Sequence, residues 1–210
     1  MGRRHWLLAG VGAALAILAV WIGWPQASGP ARPTAGDQVI AFGDSLVQGV
    51  GASAGQDLVS VLSRRLRIPI INAGRSGDTT ASALARLDGA VLSRRPRVVL
   101  VVLGGNDLLR RLPREQTMEN LGTIVTRIRD RGAAVVLATV EIGFLNNGDG
   151  EAYEALAERT SSALVPDIFD GILGRRDLMA DGIHPNDRGY ALMAERIEPA
   201  LRSLVLDEAR

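Results

Sequence analysis

The sequence contains no cysteine and only two histidines. The missing thiols exclude a thiolate nucleophile, a cysteine-ligated zinc and a disulfide framework. The scarcity of imidazole restricts the chemistry almost as much. His5 precedes a long apolar run, which leaves His184 as the only imidazole of the following domain and excludes a multi-histidine metal site within one chain. An excess of charge is also absent. There are 24 basic and 23 acidic residues, a net charge of +1, and arginines that are scattered rather than striped. That distribution gives no electrostatic footprint for nucleic acid.

What is present begins with Trp6–Trp24 (WLLAGVGAALAILAVWIGW), a run without a charged residue. Its length is close to the ~20 residues a helix needs to cross the hydrocarbon layer. Arg3 and Arg4 precede it and only Arg32 follows closely, a bias that keeps the N-terminus in the cytoplasm and sends the rest outward. Residues 1–24 are therefore expected to form a transmembrane anchor or a signal segment. The expected location is a bacterial periplasm or cell surface, with the protein held on the inner membrane or secreted after cleavage. No small-x-small cleavage pattern follows, and the run exceeds the usual ~7–15 residues of a signal core, which favours the anchor. A buried core helix fits poorly, because the run is terminal and lacks a polar face. Residues 25–36 (PQASGPARPTAG) hold three prolines among small residues, the composition of an extended linker. Residues 37–210 suffice for one globular domain.

Within that domain, short branched runs at Val39–Phe42, Ile68–Ile71, Val98–Leu103 and Ala133–Ala138 read as strands buried on both faces. Helical spacing covers Asp57–Arg65, Thr79–Arg94 and Glu115–Arg131. A helix over Gly150–Ser162, a strand near Val165–Phe169 and a final helix over Asp187–Leu204 complete the pattern. Such alternation predicts an α/β fold, a doubly wound sandwich with a parallel sheet of about five strands, preceded by the N-terminal hydrophobic helix. Functional groups in such sheets gather beyond the carboxyl ends of the strands.

The residues at those positions carry chemistry. Gly43-Asp44-Ser45-Leu46 follows the first strand, Asn72–Thr80 (NAGRSGDTT) spans the turn after the second, and Leu103–Asp107 (LGGND) follows the third. Asp181–Asn186 (DGIHPN) stands near the C-terminus. A serine, amide donors and an Asp-His pair are what acyl transfer requires: a nucleophile, an oxyanion hole and an oriented base. Three residues apart on one loop, the Asp181 carboxylate can reach Nδ1 of His184 and leave Nε2 facing the serine.

These four blocks, in this order over Val39–Leu204, resemble the SGNH hydrolases, the GDSL-type esterases and lipases. The likeness is greatest to the bacterial multifunctional thioesterase, lysophospholipase and arylesterase group. The resemblance implies a three-layer, flavodoxin-like α/β/α sandwich and a serine ester hydrolase that works without a cofactor or metal. It also implies Ser45 as nucleophile, His184 as general base and Asp181 as its orienting carboxylate. The oxyanion hole would comprise the amides of Ser45 and Gly77 and the side-chain NH₂ of Asn106. The substrate would be a small-molecule or lipid acyl ester. In the resembling group, the segments after GGND and after the fourth strand flank the acyl pocket. Leu108, Leu109, Ile142, Phe144 and Leu145 stand there as candidate lining, with Arg110 and Arg111 available to an anionic group; the competing reading has these leucines in the core and the arginines solvated.

Other readings compete at single motifs. Gly104-Gly105-Asn106-Asp107 also suits a simple turn, since Gly and Asn tolerate positive φ, and DGIHP taken alone also suits a solvated surface turn. Asp44 and Asp107 as a metal pair lack a histidine cluster or a third carboxylate at ligand spacing, so they are expected to brace loops. Gly51-Ala52-Ser53-Ala54-Gly55 satisfies the nucleophile-elbow pattern G-x-S-x-G, but no strand runs into it. At the level of the whole protein, the rivals to acyl-ester hydrolysis are a carbohydrate O-deacetylase using the same residues and an inactive membrane-tethered binding protein.

Overall fold

The computed structural model of the protein describes residues 29–141 and 149–206. The Trp6–Trp24 run, and with it the expected N-terminal helix, lies outside the described residues. So do Ile142, Phe144 and Leu145. Among the described residues, no helix is long and apolar enough to cross a membrane.

In chain order the elements are β1 (Gln38–Gly43), α1 (Ser45–Gln48), α2 (Leu58–Leu66), β2 (Ile71–Gly74), α3 (Thr80–Ala90), β3 (Pro96–Val102), α4 (Gly105–Leu109) and α5 (Arg114–Arg129). They continue with β4 (Ala134–Ala138), α6 (Asp149–Thr160), β5 (Ala163–Val165) and α7 (Asp187–Val205). The five strands form one parallel sheet in the order β2-β1-β3-β4-β5, the α/β architecture expected from the alternating pattern.

Period-two alternation on buried strands supplies two cores, one on each face of the sheet. Val39 and Ala41 of β1 and Val98, Leu100 and Val102 of β3 face one way and pack with α2 and α7. Ile40, Phe42, Val99 and Val101 face the other way, with Leu87 of α3 and Leu121, Ile124 and Ile128 of α5. Leu100 is almost fully buried, and truncating such a leucine to alanine typically costs ~2–5 kcal/mol.

Helix starts are fixed by local polar caps. Asp57 Oδ1 accepts from Ser60 N at 3.0 Å, Thr79 and Ser82 form a reciprocal capping box, and Asn186 Oδ1 accepts from Arg188 N and Gly189 N at 3.0 and 3.1 Å.

Three elements differ from expectation at a boundary by more than two residues. β2 begins at Ile71 rather than Ile68, because Pro69 has no N–H to give a ladder. The expected helix over Thr79–Arg94 stops at Ala90 and continues as a 3₁₀ turn over Leu92–Arg94. Arg95 then adopts φ 53° ahead of Pro96, whose ring disfavours a right-handed helical residue before it. β5 ends at Val165 rather than running to Phe169. Asp167 takes φ 24° and its Oδ1 accepts from Phe169 N at 3.0 Å, which turns the chain away from the sheet.

The packed chain also reaches back before Asp37. Ala31 N donates to Ser161 O at 2.8 Å, Thr34 N to Gly132 O at 2.7 Å and Arg32 Nη1 to Ser203 O at 2.5 Å. Part of the proline-rich stretch is thus bonded to the body of the domain. At the other edge, β1, β2 and β3 end at Gly43, Gly74 and Val102, and the motif blocks emerge there.

Candidate active site

Ser45 opens α1 directly after the β1 turn. Asp44 caps this short helix through Oδ1, which accepts from Leu46 N at 3.0 Å. The amide of Ser45, in the first helical position, has no intrahelical acceptor. Its hydroxyl meets His184, whose Nε2 lies 3.0 Å from Ser45 Oγ.

His184 is aimed by its own loop. Nδ1 lies 2.8 Å from Asp181 Oδ2, while Asp181 Oδ1 accepts from Ile183 N at 2.8 Å and His184 N at 2.7 Å. The imidazole contact and these two amides hold the Asp181 carboxyl down at about 2, although its side chain is 53% exposed. A carboxylate on Nδ1 selects the tautomer with Nε2 free to accept a proton. The loop is closed by a bridge between Met179 and Pro185 and by Ala180 N donating to His184 O at 2.9 Å. Asn186 then caps α7, so DGIHPN joins a base-bearing turn to a helix start.

Asn106 sits in the first turn of α4. Its Nδ2 donates to Asp78 O at 3.0 Å and to Asp44 Oδ2 at 3.2 Å. Gly104, just before this helix, has φ 108°, and a Cβ there would come within 2.2 Å of the Tyr153 hydroxyl, which donates to Leu103 O at 2.8 Å. Only glycine satisfies both demands. Gly77 lies in the turn after β2, also in the left-handed region at φ 79°, and its carbonyl accepts from Arg110 Nη2 at 2.9 Å.

The two buried aspartates brace these loops, as expected. Asp44 accepts from Leu46 N and from Asn106 Nδ2, and burial pushes its carboxyl up to about 6 against those hydrogen bonds and the nearby His184 imidazole. Asp107 accepts from Thr80 N at 2.9 Å and from Thr80 Oγ1 at 2.6 Å, tying LGGND to the start of α3. Among the described residues no group of three or more His, Asp or Glu could hold a metal ion.

Beside Ser45 and His184 opens a pocket whose apolar wall comprises Leu46, Leu109, Val140, Phe169, Leu173 and Ile183. Of the expected lining residues, Leu109 is there. Leu108 is not, because neighbouring positions on a helix are rotated by about 100°. Phe169, Leu173 and Ile183 were not anticipated as lining: Phe169 was expected in the last strand, which ends before it, and Leu173 and Ile183 come from the irregular stretch between β5 and α7, which has no hydrophobic period to read. Ser53, the alternative serine, is exposed on a turn that no strand enters. Its amide donates to Asp187 Oδ1 at 2.7 Å, and the imidazole is engaged with Ser45 instead.

The sequence matches the model of the GDSL-like lipase/acylhydrolase family over residues 41–192. It is 33% identical over 186 residues to an esterase, TesA, of Pseudomonas aeruginosa, covering 83% of this chain and 92% of that protein. It is 31% identical over 182 residues to thioesterase 1/protease 1/lysophospholipase L1 of Escherichia coli, covering 83% and 88%. Among solved structures, the crystal structure of TesA superposes with a TM-score of 0.76 at 32% identity, covering 80% of this chain and 100% of that one.

Proposed function

The chain belongs to the GDSL-like lipase/acylhydrolase family and is a serine ester hydrolase, and from that premise we propose that Ser45 is its nucleophile, His184 its base and Asp181 the carboxylate that orients the base. The observation that carries this reading is the continuous relay of 2.8 Å from Asp181 to His184 and 3.0 Å from His184 to Ser45.

As Ser45 Oγ attacks the ester carbonyl, its proton passes to His184 Nε2, and the imidazolium formed is stabilised by Asp181. The carbonyl oxygen becomes an oxyanion, received by the amides of Ser45 and Gly77 and by Asn106 Nδ2. Of the two hydrogen bonds from Asn106, the longer one to Asp44 is the one to be shared with the oxyanion. The tetrahedral intermediate then expels the alkoxide or thiolate, which takes the proton from Nε2. Water repeats the sequence on the acyl-enzyme, with His184 again as base, and releases the acid.

The apolar wall of Leu46, Leu109, Val140, Phe169, Leu173 and Ile183 receives the acyl chain. Lipid esters and thioesters fall within this reading, as the names of the relatives suggest; those names do not favour a carbohydrate O-deacetylase. The apolar Trp6–Trp24 run supports anchorage on the outer face of a bacterial inner membrane, with the domain exposed beyond it.

Turnover of p-nitrophenyl acyl esters by the wild type and by His184→Ala tests the assignment. The variant is expected to lose roughly 10⁴-fold or more in kcat. Near-normal turnover at neutral pH would remove His184 from the mechanism, since no second imidazole exists in the domain to replace it.

A further inference from the structure

Arg86 lies on α3 and does not line the pocket. Its side chain is only 18% exposed, and its guanidinium reaches two motif loops at once. Nε donates to Asp78 Oδ2 at 2.5 Å and Nη2 donates to the carbonyl of Gly43 at 3.0 Å, while the group lies over the Phe42 ring, 4.6 Å from its centroid. A planar fork of fixed donors suits this two-sided contact.

Both contacts sit next to the proposed oxyanion donors. Gly43 ends β1 and is two residues from Ser45. Asp78 follows Gly77, and its carbonyl holds Asn106 Nδ2 at 3.0 Å. Arg75 Nε and Ser82 Oγ bind the other Asp78 carboxylate oxygen at 2.8 and 2.9 Å, so the carboxylate is fixed on both sides. Burial alone would push the pKa of Asp78 up, and these hydrogen bonds together hold it below its ordinary value. The Gly43 carbonyl is likewise shared, accepting from Arg75 N at 3.0 Å as well as from Arg86. The three donors belong to three separate segments, each of which begins where the sheet register has ended.

We propose that Arg86 is a positioning residue that holds the Ser45, Gly77 and Asn106 donors in their mutual geometry and so governs the rate of acyl transfer without touching substrate. This inference rests on the oxyanion assignment above. Its physical content is alignment: a donor displaced by about 1 Å stabilises the developing charge poorly while leaving ground-state binding nearly intact.

The test compares kcat, KM and Tm of the full-length protein on p-nitrophenyl butyrate for the wild type, Arg86→Gln, Arg86→Lys, Asn106→Ala, the Arg86→Gln/Asn106→Ala double variant and Arg127→Gln. The last removes the exposed 2.8 Å pair from Arg127 on α5 to Asp88 on α3, and controls for loosening of that helix. Arg86→Gln is expected to lower kcat ~10–100-fold with KM within about two-fold. The double variant should lose less than the product of the single losses, and Arg127→Gln should turn over like the wild type. If Arg86→Gln does not fold, Arg86→Lys carries the test with the same readouts. A kcat per folded molecule near that of the wild type, a multiplicative double variant, or an equal loss in Arg127→Gln would overturn the role of Arg86. A wild-type kcat in Asn106→Ala would instead overturn the oxyanion assignment itself, so the two failures are distinguishable.

Discussion

Asp44 and Asn106, separated by 62 residues in sequence, meet at 3.2 Å, with the amide nitrogen of Asn106 donating to the buried carboxyl of Asp44. Burial raises that carboxyl from 3.8 to about 6. A raised pKa means that the folded state binds the proton more readily than the unfolded state. The resulting stability is fully present below pH 3.8 and is lost as pH rises through about 6. Relative to Asp44→Asn, the wild type is expected to lose on the order of 2–3 kcal/mol between pH 4 and pH 7. Urea unfolding of both proteins at four pH values checks this, and a difference that does not change with pH contradicts it. Asp181 is shifted the other way, and its contribution is lost only as pH falls from 3.8 through about 2, below the Asp44 window.

Asn106→Ala should act on the transition state. The ester oxygen is weakly negative in the ground state and nearly a full anion in the tetrahedral intermediate, so loss of a fixed donor should lower kcat by ~10²–10³ with little change in KM. If Asn106 serves only the turn after β3, alanine will lower Tm and leave turnover per folded molecule intact.

The pocket wall predicts a change in chain-length selectivity. Leu173→Phe adds volume beside Phe169 and Ile183, and the ratio of kcat/KM for butyrate over octanoate esters should rise ~10-fold or more. An unchanged ratio would place the acyl chain elsewhere.

Two truncations should differ in stability but not in chemistry. A chain starting at Gly29 keeps the bonds of Ala31, Arg32 and Thr34 to the domain, and one starting at Asp37 loses them. At ~0.5–1.5 kcal/mol net for each lost hydrogen bond, the shorter chain should melt several degrees lower. Both should retain kcat, because the site lies at the opposite edge of the sheet. Equal melting temperatures would show that these bonds add nothing.

The parallel sheet was legible because buried strands and amphipathic helices alternate with short breaks; three motif blocks were legible because each follows a strand, and DGIHPN because an Asp and the only imidazole of the domain stand three residues apart just before a helix. Where expectation and structure part, one local feature prevailed. Pro69 delays β2, Pro96 forces Arg95 out of the helical region, and the turn at Asp167 ends β5. The bracing role of Asp44 and Asp107 was expected, but their partners lie 62 and 27 residues away and only the fold identifies them. The pocket wall was least legible. Phe169, Leu173 and Ile183 lie on irregular chain, where no period distinguishes an apolar residue at a site from one in the core. Arg86 gave no signal either, being one charged residue on an amphipathic helix.

The most direct test of the account is the position of a covalent adduct. After treatment with a serine-directed fluorophosphonate, peptide mass mapping should find the phosphonyl group on Ser45. Labelling should be absent in Ser45→Ala and retained in Ser53→Ala. An adduct on Ser53, or labelling that persists in Ser45→Ala, would contradict it.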